Sequence, residues 1–201
     1  HPEALSVDSA TDAFSPVQSG RHSITIRGVE LRYDELVNAA FLSAEERRRL
    51  HDTLRGAVPF PHLVIDGLFN PRLLQLVAEE FDHLDKSGWT DIQTRYEVIR
   101  RSVDRVKLGP ASQLYFDILH SGWFVEWLTA ITGVKHLLPD PALYGGGLHE
   151  SPPGATFAIH RDFGHHAYTG LKNEMVFITY LNEGWQPEWG GVLELWDDRK
   201  S

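Results

Sequence analysis

The residues of this chain best suited by type and spacing to chemistry are His160, Arg161 and Asp162. They read as part of a β-strand, where residues two apart point to one face, so the imidazole of His160 and the carboxylate of Asp162 are expected to converge. One imidazole nitrogen and one carboxylate oxygen are two of the three ligands of a 2-His-1-carboxylate iron site, which leaves positions open for a co-substrate and dioxygen. The plainer reading is a hydrogen-bonded pair on a strand surface. His165 and His166 follow closely and could complete a metal set, which leaves a hydrolytic zinc site of His160, Asp162 and His165 as an alternative. Gly164 and Gly170 predict mobility in their loop, so a surface or substrate-facing role is the expectation for both. His149 either lines the cleft or hydrogen-bonds across a sheet.

The elements around the pair set its context. A polar loop runs from Gly164 to Glu174, followed by the apolar run Met175 to Leu181, a turn at Asn182 to Trp185, and Gly190 to Trp196. Strand, loop, strand, turn, strand is the rhythm of an antiparallel jelly roll. Upstream, Gly145, Gly146 and Gly147 allow close backbone approach and suit a bulged strand beside a pocket. They do not form a phosphate loop, because no Lys-Ser or Lys-Thr pair and no helix follows.

Four stretches, GGGLHESPPG (145–154), FAIHRDF (157–163), ITYLNEGW (178–185) and EWGGVLELWD (188–197), resemble in order and spacing the iron(II)- and 2-oxoglutarate-dependent oxygenases of the prolyl-4-hydroxylase-like group. Val58 to Phe81 is more weakly similar to the strand and helix that lead into the same fold. The resemblance implies an α+β fold dominated by β: a double-stranded β-helix, or cupin-like jelly roll, with N-terminal helices on its larger sheet. It implies His160 and Asp162 as catalytic iron ligands, Tyr180 against the distal carboxylate of 2-oxoglutarate, and Leu193 as an apolar wall of that pocket. Iron(II), 2-oxoglutarate and dioxygen are then required, with ascorbate as a candidate auxiliary. A carboxylate at Asp162 implies hydroxylation of an unactivated C–H of a small metabolite, an amino acid or a peptidyl proline, releasing succinate and carbon dioxide. The group's distal histidine and the basic residue after it do not occur before Ser201, and no histidine follows His166. The expectation is therefore a domain lacking its C-terminal strands, with an iron-free binding protein on the same roll as the alternative.

The remaining chain fits one domain over residues 21–201 behind a flexible tail, His1 to Gly20. His22 to Arg27 reads as a strand and Tyr33 to Leu42 as a short helix. Ser43 and Glu46 have capping-box spacing at the start of another helix, in which Arg47, Arg48 and Arg49 form a solvated face. His62 to Ile65 reads as a strand. Asn70-Pro71 opens a helix whose core stripe, Leu73, Leu74, Val77, Ala78, Phe81 and Leu84, runs towards Gly88. Trp89 to Arg105, charged and mixed, reads as a lid or a solvated connection. Pro110 to His120 and Ser121 to Thr132 read as helices closed by Gly133.

With 19 Lys plus Arg against 28 Asp plus Glu, the formal charge of -9 opposes binding to nucleic acid or to anionic membrane. A small-molecule or peptide substrate fits better. There is no cysteine, hence no disulfide frame and no thiolate chemistry. No apolar run is long enough to span a membrane, and a cytoplasmic location is expected.

Overall fold

Alternating β-branched residues start the fold as a hairpin. The computed structural model describes residues 18–20, 22–95, 97–102 and 107–197. The expected tail lies, for residues 1–17, outside them. β1 (Gln18–Ser19), β2 (Ser23–Ile26) and β3 (Val29–Arg32) form an antiparallel sheet in that order. Ile26 pairs with Val29, so Arg27 and Gly28 form a two-residue turn, with φ of 50° and 77° as such turns require. One face of the hairpin presents Ile26 and Leu31 to the core.

The helix expected over 33–42 is instead two 3-10 turns, Tyr33–Glu35 and Ala39–Leu42. Between them Val37 bridges Phe69, and the Asn38 side chain accepts from the Ala40 amide, so helical hydrogen bonding cannot run through. α1 (Ala44–Gly56) begins where Ser43 accepts from the Glu46 amide at 3.1 Å. Its Arg49 pairs with Glu46 on the surface. The strand expected at 62–65 is irregular, since Pro59 and Pro61 interrupt the approach and no ladder partner lies beside it among the described residues. α2 (Pro71–Glu80) is capped by Asn70 and buries Leu73, Leu76 and Val77. It ends earlier than its stripe suggested, because the amides of His83 and Leu84 both turn back onto the Glu80 carbonyl.

The segment read as a lid or a solvated connection contains a hairpin, β4 (Thr90–Gln93) and β5 (Val98–Arg101), with Ile92 opposite Ile99. Its mixed charges are cross-strand partners, Asp91 and Arg100 at 2.6 Å, which is why the segment resembled a solvated loop. Tyr96 and residues 103–106 lie outside the described residues. α3 (Pro110–Leu119) and α4 (Gly122–Thr132) follow, and Gly133 closes α4 in the left-handed conformation at φ 74°. His51 of α1 bonds the Ile131 carbonyl of α4 at 2.7 Å, and Trp127 Nε1 of α4 donates to the Phe41 carbonyl in the 3-10 turn before α1 at 2.8 Å.

α3 lacks a capping side chain of its own, since its N-cap is Gly109. The wholly buried carboxylate of Glu80 does this work from α2, accepting from the amides of Ala111 (2.7 Å) and Ser112 (2.9 Å) and from the Ser112 hydroxyl (2.6 Å). Glycine at 109 is obligatory, because a Cβ there would stand 2.5 and 2.6 Å from the two carboxylate oxygens.

β6 (His149–Glu150) adds to β5 as the third strand. Residues 173–181 alternate between half-buried and exposed, as a strand would, yet have no ladder partner among the described residues. Their inward face lies on the helices. Phe177 packs edge-on to Phe69 and Phe124, and Thr179 shares a 2.5 Å hydrogen bond with the Tyr115 hydroxyl. Helices and two small antiparallel sheets carry the described fold, and the apolar segments after Ala155 run without a ladder among the described residues. Extended backbone becomes sheet only where a neighbour supplies the opposite donors and acceptors. Among the described residues no helix is long and apolar enough to cross a membrane.

Two outcomes follow from this packing. Glu80→Ala strands two buried amides and a hydroxyl, so urea unfolding should show a loss on the order of 3 kcal/mol, with Glu80→Gln losing less. Burial pushes the Tyr115 hydroxyl up to about 12 from 10.0, against the opposing Thr179 hydrogen bond. In the unfolded chain the phenol ionises first, so stability is intact below pH 10 and declines from there towards pH 12. Tyr115→Phe should flatten that alkaline decline in a denaturation series.

Candidate functional site

The stretch bearing His160 and Asp162 leaves the sheet at one point and then runs across the surface. Phe157 bridges Glu97 beside β5, and its ring stands edge-on to the His160 imidazole at 4.5 Å. No ladder extends through 160–162, so strand alternation does not itself fix the pair. Local hydrogen bonding orients the ring, with His160 Nδ1 2.8 Å from the carbonyl oxygen of Ala158. A carbonyl only accepts, so Nδ1 donates there and Nε2 is the nitrogen left to face Asp162. Nε2 stands 3.4 Å from Asp162 Oδ1, with both side chains about half exposed.

This geometry can be compared with what a metal needs. Two donors each about 2.1 Å from one ion, at right angles, stand about 3 Å apart. The 3.4 Å separation is close to that, and a ring nitrogen whose other N–H is held by a carbonyl is the usual metal-ligating arrangement. The pair thus fits as two ligands. Among the described residues no cluster of three His, Asp or Glu side chains could hold an ion, so the zinc set of His160, Asp162 and His165 is not assembled.

His165 instead forms a backbone bridge with Lys172. His166 is a staple. Its Nδ1 accepts from the amides of Tyr168 and Thr169 at 3.2 Å, its ring packs on Tyr144 at 4.6 Å, and Nε2 lies 3.5 Å from Asp140. Asp140 in turn accepts from the amides of Ala142 and Tyr144. The loop after Asp162, expected to be mobile because of its glycines, is therefore pinned to the 140–144 turn. Further ties are Gly170 to the His166 carbonyl, His166 to the Leu171 carbonyl, and Asn173 to the Gly164 carbonyl. Of the glycine run, Gly145 lies where a Cβ would meet Phe163 at 2.7 Å. Gly147, at φ 106°, lies where one would meet the Ser102 hydroxyl at 2.7 Å and its carbonyl at 2.8 Å. These close approaches carry β6 onto β5.

His149 stands opposite Arg101 in that pairing. Though the residue keeps open surface, partial desolvation of its ring pushes its pKa below the ordinary imidazole value; the Arg101 charge adds to this, and a hydrogen bond with the Gly146 backbone and the Glu97 charge oppose it. Tyr180 and Leu193 are exposed, at 63% and 58%, and make no ring contact or side-chain hydrogen bond with His160 or Asp162. Tyr180 shares its open face with Val176 and Ile178, opposite the Phe177 face on the helices. A concavity of about 590 Å³ between α1 and α4, lined by Arg47, Arg48 and His51, contains none of the candidate residues.

Removing the His166 ring should free the loop. In His166→Ala, amide hydrogen exchange at Gly170, Leu171 and Asn173 is expected to speed up while the amides of α2 and α3 keep their protection; unchanged loop exchange would refute the staple.

No curated protein matches the chain. Residues 146–201, under a third of the sequence, match the family model described as the 2OG-Fe(II) oxygenase superfamily. The stretch bearing His160, Asp162, Tyr180 and Leu193 is thus similar to that superfamily, and the match supports an oxygenase-type enzyme that uses iron(II), 2-oxoglutarate and dioxygen.

Proposed function

We propose that the protein is an iron(II)- and 2-oxoglutarate-dependent dioxygenase that hydroxylates an unactivated C–H of a small metabolite, an amino acid or a peptidyl proline, as in the prolyl-4-hydroxylase-like group. The observation that carries this reading is the convergence of His160 Nε2 and the Asp162 carboxylate across 3.4 Å, with Nδ1 held by the Ala158 carbonyl. A proton on Nε2 would make the two an ion pair, and a metal ion in its place would take both as ligands. His160 and Asp162 would hold iron(II), which with 2-oxoglutarate and dioxygen would supply the oxidising chemistry, one oxygen atom going to succinate and one to the substrate as carbon dioxide is released.

The chain's own residues have simpler tasks. The Ala158 carbonyl holds the ring tautomer that keeps Nε2 available, and Phe157 packs an apolar edge against that ring. The His166 and Asp140 staple fixes the loop that leaves Asp162. Tyr180 donates its hydroxyl to the distal carboxylate of 2-oxoglutarate, and Leu193 provides an apolar wall. In this reading, residues 156–162, 175–181 and 190–196 are jelly-roll strands, and the exposed face of Val176, Ile178 and Tyr180 is the inner surface of that roll.

The absence of a three-donor cluster among the described residues favours one other reading, an iron-free binding protein on the same roll. Anaerobic titration with iron(II) and 2-oxoglutarate separates the two. A visible metal-to-ligand charge-transfer band in the wild type, lost in Asp162→Ala and kept in His166→Ala, is the expected outcome. Absence of the band in the wild type would favour the binding protein, and loss of metal in His166→Ala alone would overturn the ligand assignment.

A further inference from the structure

Arg100 and Arg101 are consecutive on β5 and so face opposite sides of its sheet. Arg100 is neutralised by Asp91 at 2.6 Å. Arg101 makes no ion pair among the described residues, and its Nε is buried with no hydrogen-bond partner. A buried guanidinium nitrogen without an acceptor is costly, and persists where the site is built to receive one.

The register shows which way that nitrogen's face looks. Arg101 pairs with His149, and Glu97, four residues back along the strand, pairs with Phe157. Glu97, Ile99 and Arg101 therefore share one side with His149 and Phe157. The other side carries Leu148, which belongs to the main core. Ile99 is buried yet outside that core. The Arg101 side is thus turned from the helices, and it leads through Phe157 to the His160 ring. From Glu97 to Arg101 the strand rises about 13 Å, so the cation stands some way along this face from the His160 and Asp162 pair. Glu97 lies further along this face, and its charge, like that of Arg101, reaches the His149 ring, but it forms no ion pair with Arg101 among the described residues.

We propose that Arg101, with His149 beside it, is the anchor for an anionic group of the substrate, a carboxylate or a phosphate, held on the inner face of β5 and β6 while the rest of the molecule extends towards His160 and Asp162. A planar guanidinium with its Nε already desolvated is suited to such an oxyanion. The substrate is then a small anionic metabolite rather than a neutral internal peptide segment. This inference rests on the oxygenase reading for its purpose, but its test does not need iron.

The test is an NMR titration of Nε–Hε resonances in the protein labelled with 15N-arginine, using sodium acetate and inorganic phosphate as probes and sodium chloride at matched ionic strength as control. The expected result is one arginine Nε resonance that shifts saturably with acetate or phosphate and not with chloride. That resonance should be absent in Arg101→Gln and retained in Arg100→Gln, and Arg101→Lys should bind the same anions more weakly. Preference for one probe identifies the oxyanion. No saturable shift in the wild type, or a responding resonance that survives Arg101→Gln, overturns the proposal. So does loss of the response once 2-oxoglutarate is added, which would assign Arg101 to the co-substrate. A charge-transfer band without an anion response would sink this anchor alone, whereas an anion response without the band would sink the oxygenase reading.

Discussion

A buried carboxylate holds the described fold together. Glu80 ends α2 and caps α3, and its acceptor oxygens meet donors that no water reaches. A helix N-terminus exposes amides with a partial positive charge, so an anion there is stabilised by geometry and by the helix dipole together. The contact also dictates its surroundings. Only glycine fits at 109, Ser112 must offer both amide and hydroxyl, and α2 must stop where Glu80 reaches across. With α2 and α3 locked end to end, Phe69, Tyr115 and Phe124 form one aromatic surface.

On that surface rests the apolar segment 173–181. Phe177 fills the aromatic surface and Thr179 bonds Tyr115, so these two are committed to the helices and the alternate set, Val176, Ile178 and Tyr180, is turned away. This division converts a run that is apolar on both faces into one with two destinations. The inward set anchors. The outward set gives the chain an open apolar face on the side where the oxygenase reading needs a pocket wall.

Positioning of the candidate ligands has a different physical basis. No ladder holds His160 and Asp162; the ring is set by the Ala158 carbonyl and the Phe157 edge, and the loop beyond is set by His166 on Asp140 and Tyr144. These are short-range polar and ring contacts between segments close in sequence, with one long-range tie to the 140–144 turn. The sheet enters by bringing Phe157 beside Glu97, which aligns the pair with the face that carries His149 and Arg101.

Much of this was legible in the residues. Ser43 and Asn70 as caps, Pro71 in a first turn, Gly133 as a left-handed stop and the apolar stripe of α2 are local signals, and local hydrogen bonding decides them. The spacing of His160 and Asp162 and the motifs around them were equally open to reading, as was the close approach of the glycine run. Other features depend on partners far away in the chain. Cross-strand pairing made a hairpin of a charged segment that read equally as a lid or a solvated connection; a bridge from Val37 to Phe69 broke a helix; an aspartate twenty-six residues upstream turned His166 from a candidate ligand into a staple. Arg100 and Arg101 are alike as residues, and only strand pairing separates the neutralised one from the one left without an acceptor. Sequence by itself determined where chemistry-bearing types and local caps occur, because these act over a few residues. Tertiary structure alone decided which charges are matched and which faces stay open, because those depend on distances between segments that the order of residues does not contain.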